Sequence, residues 1–290
     1  TYDPGDRIYL FGFRRGAFTV RTLAGLVTNC GIVDRTKCGS DADLLAGVER
    51  AYAAYRDRYS RGATRYVRRR MGRELPAEPP SVRQFRERWA VRDDEHVRDG
   101  RVPIEFIGVW DTVDAVGFPD PRLAEAWNAI IYPFKFPDHR LSPLVKRARH
   151  AMAIADERYT FHPVLWDERE ETPGRIQQVW FAGVHSNVGG GYPKQGMSIV
   201  PLVWMMEEAE RAGPDGKGLR FSGIDRQQYR ERQSVDDQLY DSRRGLAFYY
   251  RYRPRDIAAM CAEKAVVPAL HTSAIERIVD GPNGYAPGNV

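Results

Sequence analysis

Three segments of the chain share one plan, a short apolar β-rich run that ends at a polar residue and a turn. The first is Arg7–Phe13, followed by Arg14-Arg15-Gly16. The second is Ile104–Trp110, followed by Asp111-Thr112-Val113, and the third is Gln178–Val184, followed by His185-Ser186-Asn187. The runs are mostly apolar rather than alternating, the pattern of strands buried on both faces of a parallel sheet. Helical patterns lie between them, over Ala17–Thr28, Ala42–Arg70, Ser81–Ala90, Pro143–Asp156 and Ile199–Ala212. Pro76–Pro80 separates the second from the third. Strands alternating with helices predict an α/β architecture, with a mostly parallel sheet flanked by helices. No internal repeat and no clear linker is visible. The expectation is one domain over residues 1–290, with residues 42–101 as an Arg-rich helical insertion.

Open parallel sheets bind ligands outside the carboxyl ends of their strands. Arg14, Asp111 and His185 each stand at such an end, so three distant places in the chain are expected to meet.

Composition narrows the class without changing this picture. With 42% hydrophobic and 29% charged residues among 290, the chain is an ordinary globular sequence, not a disordered or fibrous one. No apolar run approaches the roughly 18 residues of a membrane span. Cys30, Cys38 and Cys261 are too scattered for a disulfide framework or a zinc site, and point to reduced cytosolic thiols. No signal-peptide pattern follows Thr1, which fits a cytoplasmic chain in the producing cell.

Charge is uneven. The net charge is +5 and the pI about 9.1. Residues 50–101 hold 15 Arg against 8 acidic residues, a local +7 that leaves −2 on the rest. An anionic membrane surface, an acidic partner or nucleic acid would suit such a segment, and a solvated helical face explains it more simply. No zinc finger, helix-turn-helix or aromatic RNA-binding signature accompanies it, which weighs against nucleic acid.

The candidate chemistry begins at Gly12-Phe-Arg-Arg-Gly16, which has the frame of a nucleophile elbow, Gly-x-Ser-x-Gly. A strand turning sharply into a helix strains its central residue, and flanking side chains are expected to clash. The helix start behind the elbow offers backbone N–H groups, that of Arg15 among them, to an oxyanion. Asp111 can orient an imidazole and His185 can act as a base. The central residue, however, is Arg14, which stays protonated and cannot attack a carbonyl.

Gly12-Phe-Arg-Arg-Gly-Ala-Phe-Thr-Val-Arg-Thr-Leu-Ala-Gly25, Gly108-Val-Trp-Asp-Thr-Val113 and Gly183-Val-His-Ser-Asn-Val-Gly-Gly-Gly-Tyr192 resemble three signature blocks of one group. That group is the α/β-hydrolase domain family that includes type VI secretion phospholipase effectors. Similarity continues through Arg149–Arg158, Tyr240–Gly245 and Leu270–Arg277. The resemblance implies a Ser–Asp–His esterase acting on lipids, with Asp111 as the acid, His185 as the base and no cofactor. It also implies an effector exported from the cell that makes it.

Two departures stand out. Arg14 replaces the nucleophile serine, and Asn187 stands where the family usually has Asp. The family also has strands before the elbow, whereas about ten residues precede it here, so the N-terminal strands are expected to be missing. The resulting expectation is a lipid esterase or phospholipase-like domain silenced at Arg14. The alternative is a pseudoenzyme that binds lipid or an anion as a regulatory module, with peripheral membrane contact. Oligomeric state is not legible.

Other candidates are weaker. His271 is a possible late triad base, although a helix-start role is favoured for it. Phe118–Pro137 is aromatic enough for a lipid-touching lid, although core packing is slightly favoured. His96, His139, His150 and His162 lack paired spacing, so no metal site is expected.

Overall fold

The computed structural model describes residues 2–60, 78–92, 94–113, 139–244 and 249–290. Among these residues five strands form one sheet in chain order: β1 (Tyr9–Phe13), β2 (Ile104–Trp110), β3 (Val145–Ala153), β4 (Ile176–Phe181) and β5 (Ala269–Leu270). β1 runs parallel to β2, from Tyr9 beside Phe106 to Phe13 beside Trp110. The Ile104 N–H donates to the Leu144 carbonyl and the Asp111 N–H to the Ala151 carbonyl. The offset in sequence is the same at both ends, so β2 and β3 are also parallel. β3 pairs with β4 from Ala148–Ile176 to Ala153–Phe181, and β4 with β5 at Trp180–Leu270, again in parallel. This all-parallel sheet flanked by helices is the α/β architecture that the pattern predicts.

One expected element is corrected. Pro143–Asp156 is not a helix; its centre is β3. Ala148, Ala151, Ala153 and Ala155 give the segment helix propensity, but the residues from Ala148 to Ala153 are all buried. Burial on both faces of the sheet outweighs the local preference. β5 has only two residues and carries no periodic signal.

The described residues divide into two compact units. The first comprises Thr1–Ile8, Arg21–Ile104 and Ser142–Lys146. It holds most of α1 (Arg15–Cys30), together with α2 (Asp41–Ser60) and α3 (Pro80–Trp89). Cys30, Val33, Ala51, Ala54, Tyr55, Val82 and Phe85 form its core. Arg86 is buried there against Glu78, Asp99 and the Asn29 carbonyl.

The second unit comprises Tyr9–Val20, Glu105–Leu141 and Arg147–Val290. Successive side chains of a strand point to opposite faces, and the core divides accordingly. Met152 and Trp180 pack with Ile257 and Cys261 of α7 (Ile257–Glu263) and Ala274 of α8 (Thr272–Asp280). Their neighbours Ala151, Ala153 and Phe181 pack on the other face, with Val200, Met205 and Ala209 of α5 (Gly196–Glu210). The short α4 (His185–Gly189) follows β4, and α6 (Gly223–Arg232) follows α5. The aromatic segment Phe118–Pro137 and the run Arg65–Arg70 lie outside the described residues.

Candidate active site

Because the strands are parallel, their carboxyl ends share one edge of the sheet, and there the predicted residues gather. The Arg14 N–H makes the last bond of β1, to the Trp110 carbonyl at 3.2 Å. The chain then turns through φ +56° at Arg14 and enters α1 at Arg15. A Cβ at Gly12 would lie 2.5 Å from the Gly16 carbonyl oxygen, so the first glycine of the elbow frame is sterically required. A Cβ at Gly16 would meet nothing within 4 Å outside its own helix, which corrects the expectation that both flanking positions demand glycine. The exposed Arg14 guanidinium lies 5.2 Å from the centre of the Phe161 ring. Partial burial, Arg15 and Arg158 lower its proton affinity. It has no carboxylate partner among the described residues. Arg15, the proposed source of an oxyanion N–H, is exposed at the helix start.

Asp111 follows β2 and is also at positive φ, +39°. Five non-glycine residues among those described have positive φ, and two of them are Arg14 and Asp111, so backbone strain concentrates at these strand ends. The Asp111 carboxylate is fully buried and accepts four bonds from three residues. The Ala153 N–H donates to Oδ1 at 3.1 Å, and His185 Nδ1 lies 2.5 Å from Oδ2. Arg255 donates to both oxygens, at 2.7 Å each. Burial alone would raise this carboxyl group, but Arg255 and the His185 hydrogen bond outweigh it. Together they hold Asp111 well below the usual carboxylate range.

His185 opens α4 and is 2% exposed. Its ring sits between Phe13 (centroids 4.6 Å apart) and Phe161 (5.0 Å, edge-on). Its backbone N–H donates to Asp156 Oδ2 at 3.1 Å. An ionised Asp111 requires a proton on Nδ1, and in the neutral tautomer with that proton Nε2 is the lone-pair nitrogen. That Nε2 is buried and has no hydrogen-bond partner among the described residues. The glycine-rich turn after it has a clear cause at its first position, where a Cβ on Gly189 would overlap the Phe13 ring.

Asp156 is held ionised by Arg158, which reaches it at 3.0 and 2.7 Å and stacks on Phe161 at 3.5 Å. Burial again works against the charge and is outweighed. Asn187 is buried; its Oδ1 accepts the Val184 N–H and its Nδ2 donates to the Gln238 carbonyl. The second bond needs an amide, because a carboxylate cannot donate. His271 lies apart from the Asp111–His185 pair. It caps α8, bonds to Ser273 and stacks on Phe181 at 4.6 Å.

Sequence reasoning misses Arg255, Asp156, Arg158, Phe161 and His150 as site residues. His150 Nε2 accepts the Thr112 N–H at 3.1 Å, which anchors the residue after Asp111. Asp156 and Arg158 fall in the Arg149–Arg158 block of resemblance. Arg255 reaches Asp111 from 144 positions along the chain, out of a run with no periodic pattern. Among the described residues no group of three or more His, Cys, Asp or Glu side chains could hold a metal ion. No helix among them is long and apolar enough to cross a membrane.

The fold and site define a parallel α/β protein with a buried carboxylate–imidazole pair at the carboxyl edge of its sheet. Its family follows from the sequence profile matched by residues 1–208: the chain belongs to the type VI secretion phospholipase effector Tle1-like catalytic domains. The match covers Arg14, Asp111 and His185 and ends before Arg255. The chain is also similar to the uncharacterized protein YEL023C of Saccharomyces cerevisiae, at 28% identity over 160 residues. That alignment covers 55% of this chain and 18% of the yeast protein. A solved structure of an uncharacterized protein from Pseudomonas aeruginosa matches with a TM-score of 0.37 and 21% identity. It covers 76% of this chain and 25% of that one. The chain thus spans a quarter or less of the length of these two relatives.

Proposed function

We propose that this chain is a phospholipase-type α/β-hydrolase domain that keeps its acid and base and is silent in acyl transfer, because Arg14 occupies the nucleophile position. Membership of a phospholipase effector family supports a lipid ester as the ligand class. The observation that carries the reading is the buried Asp111–His185 pair, whose Nε2 has no partner among the described residues, beside an elbow that holds a guanidinium. The same reading treats residues 42–101 as an insertion within one domain, and carries the family's export and lipid contact over to this chain.

With a hydroxyl at position 14, the geometry supports the following roles. The hydroxyl would attack the acyl carbonyl and His185 Nε2 would take its proton. Asp111 would hold the imidazole in the tautomer that presents Nε2. The N–H groups at the start of α1, near Arg15, would hold the oxyanion. In the natural chain the first step has no nucleophile.

Release of fatty acid from phospholipid in mixed micelles tests this. The natural chain is expected to release none, and Arg14→Ser to release fatty acid. Arg14→Ser combined with His185→Ala is expected to fall back at least about 10³-fold. His185-dependent release by the natural chain would overturn the reading.

A further inference from the structure

We propose that the ribbon formed by residues 157–159 and 249–253, beside the acid–base pair, docks the chain on the headgroup layer of an anionic phospholipid membrane. This rests on the reading of the site as one for a lipid ester, and adds the face by which the chain reaches the lipid.

In Tyr249-Tyr-Arg-Tyr-Arg253 rings and cations are interleaved. The backbone pairs with residues 157–159 in an antiparallel bridge between Arg158 and Tyr252. The Tyr159 N–H donates to the Arg251 carbonyl at 3.0 Å, and the Arg253 N–H to the Glu157 carbonyl at 2.8 Å. Successive side chains of such a pair point to opposite faces. On one face Arg251 and Arg253 lie over the Tyr159 ring, 5.6 and 5.1 Å from its centre. On the other, Tyr252 has Arg243 over it at 4.9 Å. Arg251, Tyr252 and Arg253 are all exposed, so the ribbon meets solvent on both faces. Tyr249 (67%) and Tyr252 (54%) are the most exposed aromatic side chains among the described residues. The ribbon also borders the candidate site. Arg158 lies over Phe161, and the edge of that ring packs on His185.

The charge of this face is positive. Asp156 cancels Arg158 and Asp111 cancels Arg255. Arg14, Arg15, Arg243, Arg244, Arg251 and Arg253 remain, against Glu157, Asp241 and Asp256. Residues 114–138, outside the described ones, carry four acidic and two basic residues, too few to reverse the surplus.

The rings favour a membrane over the other common polyanion. Single-stranded nucleic acid is held by open ring faces on which bases stack. Tyr159, Tyr250 and Tyr252 each have a guanidinium over the ring, which leaves at most one face for a base. A guanidinium lying on a ring still presents its N–H fork, which matches phosphate. The tyrosine hydroxyl and ring suit the boundary between water and a bilayer. A headgroup layer surrounds whatever enters it, so cations on both faces of the ribbon find phosphates there.

The test is co-sedimentation of the chain with phosphatidylcholine vesicles, with and without phosphatidylglycerol as the anionic lipid. The expected result is binding that needs phosphatidylglycerol and weakens at high salt. Each arginine near an anionic surface contributes about fivefold, so Arg251→Gln combined with Arg253→Gln should weaken binding at least about tenfold. Arg83→Gln combined with Arg88→Gln, exposed on α3 in the first unit, removes the same charge and should weaken it less than about twofold. Tyr249→Ser combined with Tyr252→Ser should weaken it severalfold. All these side chains are exposed, and circular dichroism checks that each variant folds. No preference for anionic vesicles, equal loss in the two arginine pairs, or parental binding by the tyrosine pair would overturn the proposal. So would tighter binding, per phosphate, of a single-stranded oligonucleotide through Arg251 and Arg253. A water-soluble ester needs no membrane, so Arg14→Ser should hydrolyse it equally with and without the Arg251 and Arg253 substitutions. Turnover in both without vesicle binding removes the proposal alone. Vesicle binding through the two arginines without turnover in either removes the silenced-hydrolase reading and leaves the docking face standing.

Discussion

At Asp111 one carboxylate is shared between a histidine and a guanidinium, and the two partners do different things. His185 is oriented by its bond to Oδ2, while Arg255 fixes the plane of the carboxylate and neutralises it. Removing Arg255 leaves a buried charge without its counterion, which costs about 3–5 kcal/mol. Arg255→Met is therefore expected to lose that much at pH 7 in urea denaturation. Asp111 lies below its unfolded value of about 3.9, so its contribution is full above about pH 4 and lost as pH falls further. Without Arg255, burial dominates and raises the carboxyl group above its unfolded value, so the variant's deficit is full near pH 7 and shrinks as pH falls and Asp111 takes up a proton. A variant as stable as the parent at pH 7, with the same acid limb, would show that Arg255 does not carry the charge balance. Arg14, Asp111 and His185 are legible in the sequence because each follows an apolar run. Arg255 is not, since its role depends on a contact with a strand end 144 positions away.

At the scale of elements, position 189 couples two strand ends. The Gly189 backbone runs against the Phe13 ring, and Phe13 in turn packs on His185. Gly189→Ala is expected to cost about 1–3 kcal/mol by overpacking, seen as a lower midpoint in thermal denaturation. It should also shift the His185 ring resonances in an NMR spectrum. Unchanged resonances would detach the turn from the imidazole. β2 and β4 are readable as buried parallel strands because Ile, Val, Phe and Trp dominate them. β1 is readable from Tyr9, Leu10, Phe11 and Phe13, although its residues are half-buried or exposed. β3 is not readable, because its alanines fit a helix as well as a strand and only the neighbours β2 and β4 decide. β5 is too short to carry a period.

At the scale of the whole molecule, the mild basicity is a local surplus over residues 50–101, where 61–77 fall outside the described residues. The site has its own surplus at Arg14, independent of that segment. The three thiols report on each unit separately. Cys30 is buried in the core of the first unit and Cys261 in that of the second, while Cys38 is half-buried. Burial also raises the Cys261 thiol. A thiol reagent on the native protein is expected to modify Cys38 readily and Cys30 and Cys261 only slowly. Rapid modification of all three would contradict the two packed cores.

The central claim is that the acid–base pair is assembled and lacks only its nucleophile. A fluorophosphonate, which labels a serine activated by such a pair, tests it most directly. Intact-mass analysis should find the natural chain unlabelled and Arg14→Ser carrying one adduct at position 14, which is lost when His185→Ala is added. Labelling of the natural chain at some other serine, or no adduct on a folded Arg14→Ser protein, would contradict the account.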